Sequence, residues 1–266
     1  MFVFFYLFRK IGYNFSYIQS KLKKILLKPH FWVGLSVCNK RTCYIYSKLD
    51  VTMGKLIKDY GEIRLWQLGE NEIPSLTFFV LDNYYVQYWK QHIDINGEEL
   101  SCAISEDLIH FNQGAFFAIK DVNERFLASI KAVKISRGDK FPLEDDFQIT
   151  YSDFEKIVFP IVGDVWLFGR LVVDRDYFSR RPEFIHYRNI IFRILICKAI
   201  ECMSYSLDNI LIADVDVAVC QKLRKVDINM IPIGFPKIIY ASEAIPVYSH
   251  MSGLYTFFQK NIHLIR

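Results

Sequence analysis

The fold of this chain is decided by two apolar segments, VWLFGRLVVD at residues 165–174 and NILIADVD at residues 209–216. Both are rich in Val, Ile and Leu, and a segment long enough for a helix separates them. Because two parallel strands need a connection of that length, the pattern predicts neighbouring parallel strands joined by a crossover helix. The connection begins with the basic loop RDYFSRR at residues 175–181, and Pro182 suits the first position of the helix. Three arginines therefore meet the positive end of a helix, which predicts a site for an anionic, phosphate-bearing ligand.

The composition is that of a globular protein with an uneven charge distribution. Of the 266 residues, 52% are hydrophobic and 16% aromatic, so the chain is able to bury a substantial core and extensive disorder is excluded. Residues 1–49 contain nine Lys or Arg and no acid, which leaves 24 basic and 29 acidic residues in the rest of the chain. We predict a basic leader and connector at residues 1–58 and one α/β (α+β) domain at residues 59–266. Nucleic-acid binding is not expected, since this domain is net acidic and has no basic stripe interleaved with aromatic residues.

The cysteines and the apolar runs predict a cytoplasmic protein. The six cysteines are scattered, with no CxxC pair and no histidine at ligand spacing, so we expect reduced thiols and no metal site. No stretch reaches the roughly 20 apolar residues that a membrane crossing needs. The apolar start, MFVFFYLF, has no positive segment before it and no small-residue cleavage site after it, which argues against a signal peptide.

The leader has the pattern of a basic amphipathic helix over residues 1–28. Its apolar residues recur at intervals of three and four, and most of its Lys and Arg residues lie off that stripe. Three interpretations stay open: a helix on the inner face of an anionic membrane, a helix packed on the body with a solvated basic face, and a partly disordered segment.

The rest of the chain predicts a mixed succession of strands and helices. Alternating apolar residues, turn residues and helix-starting prolines set the expected elements. These are a strand at 62–68, a helix at 74–90, a polar loop with at most one short helix at 92–113, a hairpin of 115–120 and 125–134, an acidic connector at 140–147, a helix at 217–226, and a final strand pair at 237–240 and 245–249.

Four segments carry a resemblance to a known family. They are FFAIK at 116–120, FPLEDDF at 141–147, GRLVVD at 169–174, and IY followed by IPVY within 239–248. With the order of elements, they resemble the GNAT acyltransferases, and among these the branch of acyl-homoserine-lactone autoinducer synthases and N-acyl amino acid synthases. The resemblance covers about residues 60–250 and leaves the leader outside.

The resemblance implies a GNAT fold, in which two central parallel strands splay apart and admit the pantetheine arm of an acyl thioester. The implied reaction moves an acyl group, expected to be fatty, from acyl carrier protein or acyl-CoA to the amine of an amino acid or similar small molecule. No permanently bound cofactor is implied. The residues expected to bind the donor follow the strand end: Val172, Val173, Asp174, Arg175, Arg180 and Arg181.

The expected catalytic residues are Arg170, Glu144, Asp145 and Tyr248. An arginine inside an apolar strand must reach a carboxylate or a cavity, so Arg170 either orients the acceptor or forms an ion pair with Glu144, Asp145 or Asp174. The two acids of the connector either bind the amine or act as a base, or they are simply solvated. Tyr248 either protonates the departing thiolate or is a core tyrosine.

Some residues depart from the family pattern. The segment RRPEFI at 180–185 lacks the glycines of a coenzyme A loop, which favours a carrier-protein donor. Leu167 and Asp82 stand where the synthases have Glu and Arg, which favours a second hypothesis, a non-catalytic protein that binds an acyl thioester or carrier protein. A third hypothesis is a membrane-surface protein that acts through its leader. Aromatic residues within 78–89 and 111–126 predict an apolar tunnel for the acyl chain.

Overall fold

The computed structural model describes residues 53–89, 95–181, 184–239 and 242–266. The predicted leader and its membrane contact lie outside these residues and stay predictions. The described strands are β1 Lys55–Asp59, β2 Ile63–Gln67, β3 Gly114–Asp121, β4 Phe126–Ile135, β5 Val165–Val173, β6 Ile210–Asp216, β7 Ile231–Pro232, β8 Lys237–Ile239 and β9 Ser242–His250. The described α-helices are α1 Ile73–Trp89, α2 Gly97–Phe111, α3 Glu144–Phe147, α4 Tyr151–Ile157, α5 Arg175–Ser179, α6 Ile185–Met203, α7 Val217–Arg224 and α8 Met251–Asn261.

The strands form one mixed sheet in the order β1-β2-β3-β4-β5-β6-β9-β7, with β8 also paired to β9. Each of these neighbouring pairs is antiparallel except β5 and β6, which are parallel. The connection between β5 and β6 runs through α5 and α6, as a crossover between parallel strands requires. This is the mixed α/β sheet with one central parallel pair that the sequence predicts.

The sheet separates two hydrophobic cores. On one face, α6 and α8 bury residues such as Leu195 and Phe257 against β3, β4 and β6. On the other face, α1 and α4 bury residues such as Leu76 and Phe154. Alternate side chains of the strands enter the two cores, because successive residues of a strand point to opposite faces. Each fully buried apolar side chain stabilises the fold by roughly 1.5–3 kcal/mol.

The segment predicted as a polar loop with at most one short helix contains a helix of 15 residues, so the prediction was wrong about its length. Helix α2 runs from Gly97 to Phe111. Its start is fixed by Asn96, whose side chain accepts a hydrogen bond from the backbone N–H of Glu98 at 3.1 Å. Acids in the first turn also complement the helix dipole. Leu100, Ile104, Leu108 and Phe111 recur at helical spacing, so the sequence carries a helix pattern that the polar composition masked.

Three other boundaries differ from the predictions. The basic loop after β5 contains the short helix α5, and α6 begins at Ile185; Pro182 lies outside the described residues. The acidic connector is anchored rather than exposed along its length, since Phe141 and Leu143 are buried. The first strand starts at Lys55, within the predicted connector; the division of the chain at residue 58 stays a prediction.

None of the helices in the described part of the chain combines the length and apolar character that a membrane crossing requires.

Candidate active site

The central parallel strands are joined over only a short distance. Strands β5 and β6 pair from Val165 with Ile210 to Leu167 with Ile212. Beyond these residues β5 keeps its pairing with β4, and β6 keeps its pairing with β9, but no pairing joins β5 to β6. The two strands therefore part towards their carboxyl ends, as a GNAT-like fold requires.

A cavity of about 1080 Å³ occupies the gap between the parted strands. Its wall includes Val172 on the unpaired part of β5 and Ala213 on β6. It also includes Glu106 of α2, on one face of the sheet, and Leu254 of α8, on the other. Because helices from both faces contribute, the cavity passes through the sheet. Its volume is at the upper end of the range for small-molecule sites.

A bulge re-aims the side chain of Arg170 at the point where the strands part. Across β4 and β5, Ser129 pairs with Val172 and Lys131 pairs with Gly169, so β5 carries one extra residue in between. Arg170 has a φ of 54°, a left-handed conformation that is uncommon for a residue with a side chain. Its carbonyl accepts a hydrogen bond from Ser129 Oγ at 2.8 Å. Such local strain is often found at functional sites.

The guanidinium of Arg170 binds Asp107 of α2, at 3.0 and 3.1 Å from Nε to the two carboxylate oxygens. Lys131 of β4 donates to the same carboxylate at 2.9 Å, and Thr77 of α1 donates to it at 2.9 Å. Asp107 and Lys131 have only 0% and 3% of their side chains exposed. Gly169 makes room for the lysine, since a Cβ there would lie 3.1 Å from Lys131 Cε.

The expected ion-pair partner of Arg170 was therefore wrong. Asp107 takes the place predicted for Glu144, Asp145 or Asp174, because the helix that carries it was not predicted. Burial alone would raise the pKa of Asp107, but attraction to Lys131 and Arg170 outweighs burial and lowers it. The carboxylate therefore stays ionised between its two cations.

Two further side chains of α2, Glu106 and His110, complete this end of the cavity. Glu106 lies 3.2 Å from Lys131 Nζ and 3.6 Å from Arg170 Nη2. His110 Nδ1 lies 3.3 Å from Lys131 Nζ, and burial together with the charge of Lys131 lowers its pKa. An ammonium group only donates, so Nδ1 accepts, and the neutral ring carries its proton on Nε2.

Within the described residues, Glu106, Asp107 and His110 have the spacing of metal ligands. The ammonium group of Lys131 already lies within hydrogen-bonding distance of an atom of each of the three. Arg170 holds the remaining oxygen of Asp107 as well. Two cations therefore occupy the place of a metal ion, and the group fits a charge network better than a metal site.

The mouth on the opposite face is basic. Five cations from α5, α6, α7 and the residue after α7 line it: Arg175, Arg188, Arg193, Lys222 and Lys225. Among the residues that the structure describes, none of the five has an ion-pair partner within 4.0 Å. Only Arg175 was expected from the sequence. The others were missed because they are spread over two helices.

The remaining residues expected at the donor end have local partners. Asp174 caps α5 by accepting from Tyr177 N at 2.9 Å, and Arg125 donates to it at 2.8 Å. Arg181 donates to Tyr177 Oη at 2.9 Å and stacks on its ring. Arg180 has 80% of its side chain exposed. None of these three predicted residues, Asp174, Arg180 and Arg181, lines the cavity.

The residues expected at the catalytic end are also divided. Asp145 lines the cavity and forms an ion pair with Lys140 at 2.5 Å. Glu144 begins α3 outside the cavity wall. Tyr248 packs edge-on against Phe154, with 6.2 Å between the ring centroids, and does not line the cavity.

The apolar part of the cavity lies away from the aromatic segments at 78–89 and 111–126. Of their described aromatic side chains, only Tyr84 lines the cavity. Phe116 and Phe117 are fully buried in the cores. The apolar wall is instead aliphatic and lies mainly on the face covered by α6, α7 and α8: Ile196, Ile200, Leu211, Leu223 and Leu254.

The sequence matches no protein-family model and no curated protein. Among solved structures, the chain is similar to FeeM, an N-acyl amino acid synthase from uncultured soil microbes, with 10% identity and a TM-score of 0.46 over 71% of this chain and 90% of FeeM. An acetyltransferase of the GNAT family from Staphylococcus aureus Mu50 has 13% identity and a TM-score of 0.44, covering 71% of this chain and 99% of its own. Spermidine N-acetyltransferase from Vibrio cholerae, solved with CoA and spermine, has 12% identity and a TM-score of 0.42, covering 73% and 98%. At identities this low, only the geometry of the cavity supports a function.

Proposed function

We propose that this protein is an N-acyltransferase that moves an acyl group, of fatty length, from a pantetheine thioester to the amine of a small molecule. The observation that carries the proposal is the parting of β5 and β6 beyond Leu167 and Ile212, with a cavity in the gap. A sheet opened between two strands leaves backbone N–H and C=O groups without strand partners, and a bound ligand is able to replace those partners.

The unpaired edge of β5 suits the pantetheine arm of the donor. The arm is extended and carries two amide groups, so it is able to pair with the free N–H and C=O groups of residues 168–173 as an added strand does. Val172 and Val173 line this part of the cavity. Their backbone pairs with β4 on the other side, which holds the edge rigid.

The basic mouth suits the charged end of the donor. Coenzyme A carries phosphates there, and an acyl carrier protein presents an acidic surface around its phosphopantetheine. Five cations without ion-pair partners in the described residues are able to attract either one. The aliphatic part of the cavity wall suits a fatty acyl chain, because burying each CH₂ contributes about 0.8 kcal/mol.

The charged end of the cavity suits the acceptor. Arg170 Nη2 is buried and has no hydrogen-bond partner among the described residues. An acceptor carboxylate would satisfy it, which favours an amino acid. The Nε2 proton of His110 is a donor available for the oxyanion of a tetrahedral intermediate. Orientation of the amine and the thioester supplies much of the remaining catalysis.

The direct test is product formation. Purified protein is mixed with acyl-CoA thioesters of 8 to about 16 carbons, or with the same chains on acyl carrier protein, in the presence of the twenty amino acids. N-acyl amino acids detected by mass spectrometry support the proposal, and the two arms distinguish the donors. Saturable binding of the thioester without any product would support the non-catalytic hypothesis instead. The absence of both binding and product would contradict each of them.

A further inference from the structure

Asp214 is an acid inside an otherwise apolar strand. It lies in the segment ILIADVD of β6, two residues after Ile212, the last residue that pairs with β5. Its neighbours Ile212 and Ala213 are buried, whereas Asp214 is exposed and lines the cavity. The carboxylate therefore enters the gap between the parted strands.

Asp214 has no ion-pair partner among the described residues, unlike Asp107 and Asp174 on neighbouring elements. Asp107 binds two cations and Asp174 binds Arg125. Asp216, two residues further along the strand, caps α7 by accepting from the backbone N–H of Ala218 at 2.8 Å. Asp107, Asp174 and Asp216 are therefore committed to structure, whereas the carboxylate of Asp214 is available to a ligand.

The surroundings of Asp214 raise the pKa of its carboxyl group. Asp214 lies in the cavity wall, where the surrounding protein reduces the solvation of its carboxylate. Burial raises the pKa of its carboxyl group, and the nearby charge of Asp146 of α3 acts in the same direction. A hydrogen bond from its own backbone N–H, and to a smaller extent Arg170 of β5 and Lys131 of β4, act in the opposite direction without reversing the shift. A carboxylate with a raised pKa is a better proton acceptor near neutral pH.

We propose that Asp214 is the general base of the acyl transfer, taking the proton from the acceptor's ammonium group directly or through one water. This role rests on the proposed function. It requires that the amine binds between β5 and β6, facing Asp214 from the side of Arg170.

The proton balance of the reaction assigns two steps to this carboxylate. Asp214 first takes a proton from the ammonium group, and the neutral amine attacks the thioester carbonyl to form the C–N bond. The tetrahedral intermediate then loses its C–S bond, and the thiolate leaves. The nitrogen gives up a second proton, and the thiolate takes one proton from Asp214 to become the thiol. One proton is released to solvent for each amide formed.

Two other groups at this end of the cavity are less suited to act as the base. His110 uses Nδ1 to accept from Lys131, and its Nε2 carries a proton in the neutral ring. Glu106 is paired with Lys131 and lies near Arg170. Its oxygens are therefore already engaged by two cations and are less available to the acceptor's ammonium group.

The test compares Asp214→Asn and Asp214→Glu with the wild type and with Asp208→Asn, an exposed acid outside the cavity wall. We expect Asp214→Asn to lower kcat at pH 7 by about 10²- to 10⁴-fold, the usual contribution of a general base. The loss should shrink at alkaline pH, where the amine is already neutral. Asp214→Glu should restore part of kcat, and Asp208→Asn should retain it.

A measurement that does not depend on turnover accompanies the kinetics. Because the folded-state pKa of Asp214 is raised, its ionised form opposes folding as pH rises through that pKa. We therefore expect Asp214→Asn to unfold at a higher temperature than the wild type at pH 7, with the difference vanishing at acidic pH. A merely structural role would predict the opposite sign.

The outcomes separate the two proposals. If the wild type forms no product with any thioester, the proposed function fails and this role fails with it. If the wild type is active and Asp214→Asn keeps its kcat and its pH profile, the base is another group and only this inference is overturned. A loss confined to KM for the amine would also overturn it, since Asp214 would then bind the acceptor without taking its proton.

Discussion

The cations at the two ends of the cavity differ in whether they are paired with acidic side chains. At the end next to α2, Lys131 and Arg170 share the buried carboxylate of Asp107. At the mouth next to α6 and α7, the cations, Arg188 and Arg193 among them, have no ion-pair partners in the described part of the chain. A protein that buries a cation must supply an oppositely charged partner for it, because an unpaired buried charge is costly. An exposed cation is solvated and remains available to bind an anionic ligand. The first end is therefore built into the fold, and the second is available for binding.

Removing the carboxylate of Asp107 tests whether the paired end is part of the fold. We expect Asp107→Ala to lower the free energy of unfolding by about 3–5 kcal/mol, because it leaves two buried cations without their main partner. Urea denaturation followed by circular dichroism measures this change. The matched control is Glu106→Gln on the same helix turn, whose side chain is 54% exposed and should cost under about 1 kcal/mol. Equal effects of the two variants would contradict the structural role of Asp107.

The pH dependence of stability sharpens the same point. The folded-state pKa of Asp107 is lowered, so its stabilisation is present above its unfolded value of about 4 and is lost as pH falls through the folded value. We expect the gap in unfolding free energy between the wild type and Asp107→Asn to narrow only below about pH 4. A gap that stays constant from pH 7 to pH 3 would show that the carboxylate is not held ionised.

Removing cations from the basic mouth should weaken ligand binding and leave the stability of the protein almost unchanged. We expect the triple variant Arg188→Ala, Arg193→Ala, Lys222→Ala to weaken binding of a CoA thioether by roughly 3- to 100-fold, since each screened contact contributes about 0.2–1 kcal/mol. Its unfolding free energy should stay close to that of the wild type. Isothermal titration at two salt concentrations measures the binding, and the wild type should lose more affinity at high salt than the variant. Unchanged binding would show that the basic mouth is not part of the donor site.

The smallest effect is expected from the arginine pair that the sequence singled out. Arg180→Ala should change donor binding and stability by less than about 0.5 kcal/mol, because its side chain is 80% exposed and lies outside the cavity wall. The same titration serves as the measurement. A loss of donor affinity comparable to that of the triple variant would show that the charged end of the donor binds near α5 instead.

The sequence predicts the strands that form the site better than it predicts the charged residues that line it. The apolar runs of β5 and β6 are long and rich in branched residues, so the parallel pair and its crossover are readable from pattern alone. Arg170 stands out as a charge in an apolar strand, and the same signal was present in Lys131 of β4 and Asp214 of β6. Neither Lys131 nor Asp214 was predicted as a site residue.

Other parts of the site carry no local signal. Asp107 lies on a helix of largely polar composition, and only the folded sheet brings it to Arg170 across 63 residues of sequence. The bulge at Arg170 is set by the register of β4 against β5, which depends on long-range pairing. The cations of the mouth come from separate helices whose spacing is fixed only by packing.

A crystal structure of the protein with a non-hydrolysable acyl-CoA thioether would test directly whether the donor binds in the gap between β5 and β6. The account predicts the pantetheine arm between β5 and β6, hydrogen-bonded to the backbone of residues 168–173, with the phosphates at the basic mouth. A thioether bound elsewhere, or strands that hydrogen-bond to each other beyond Leu167 and Ile212 with the ligand present, would contradict it.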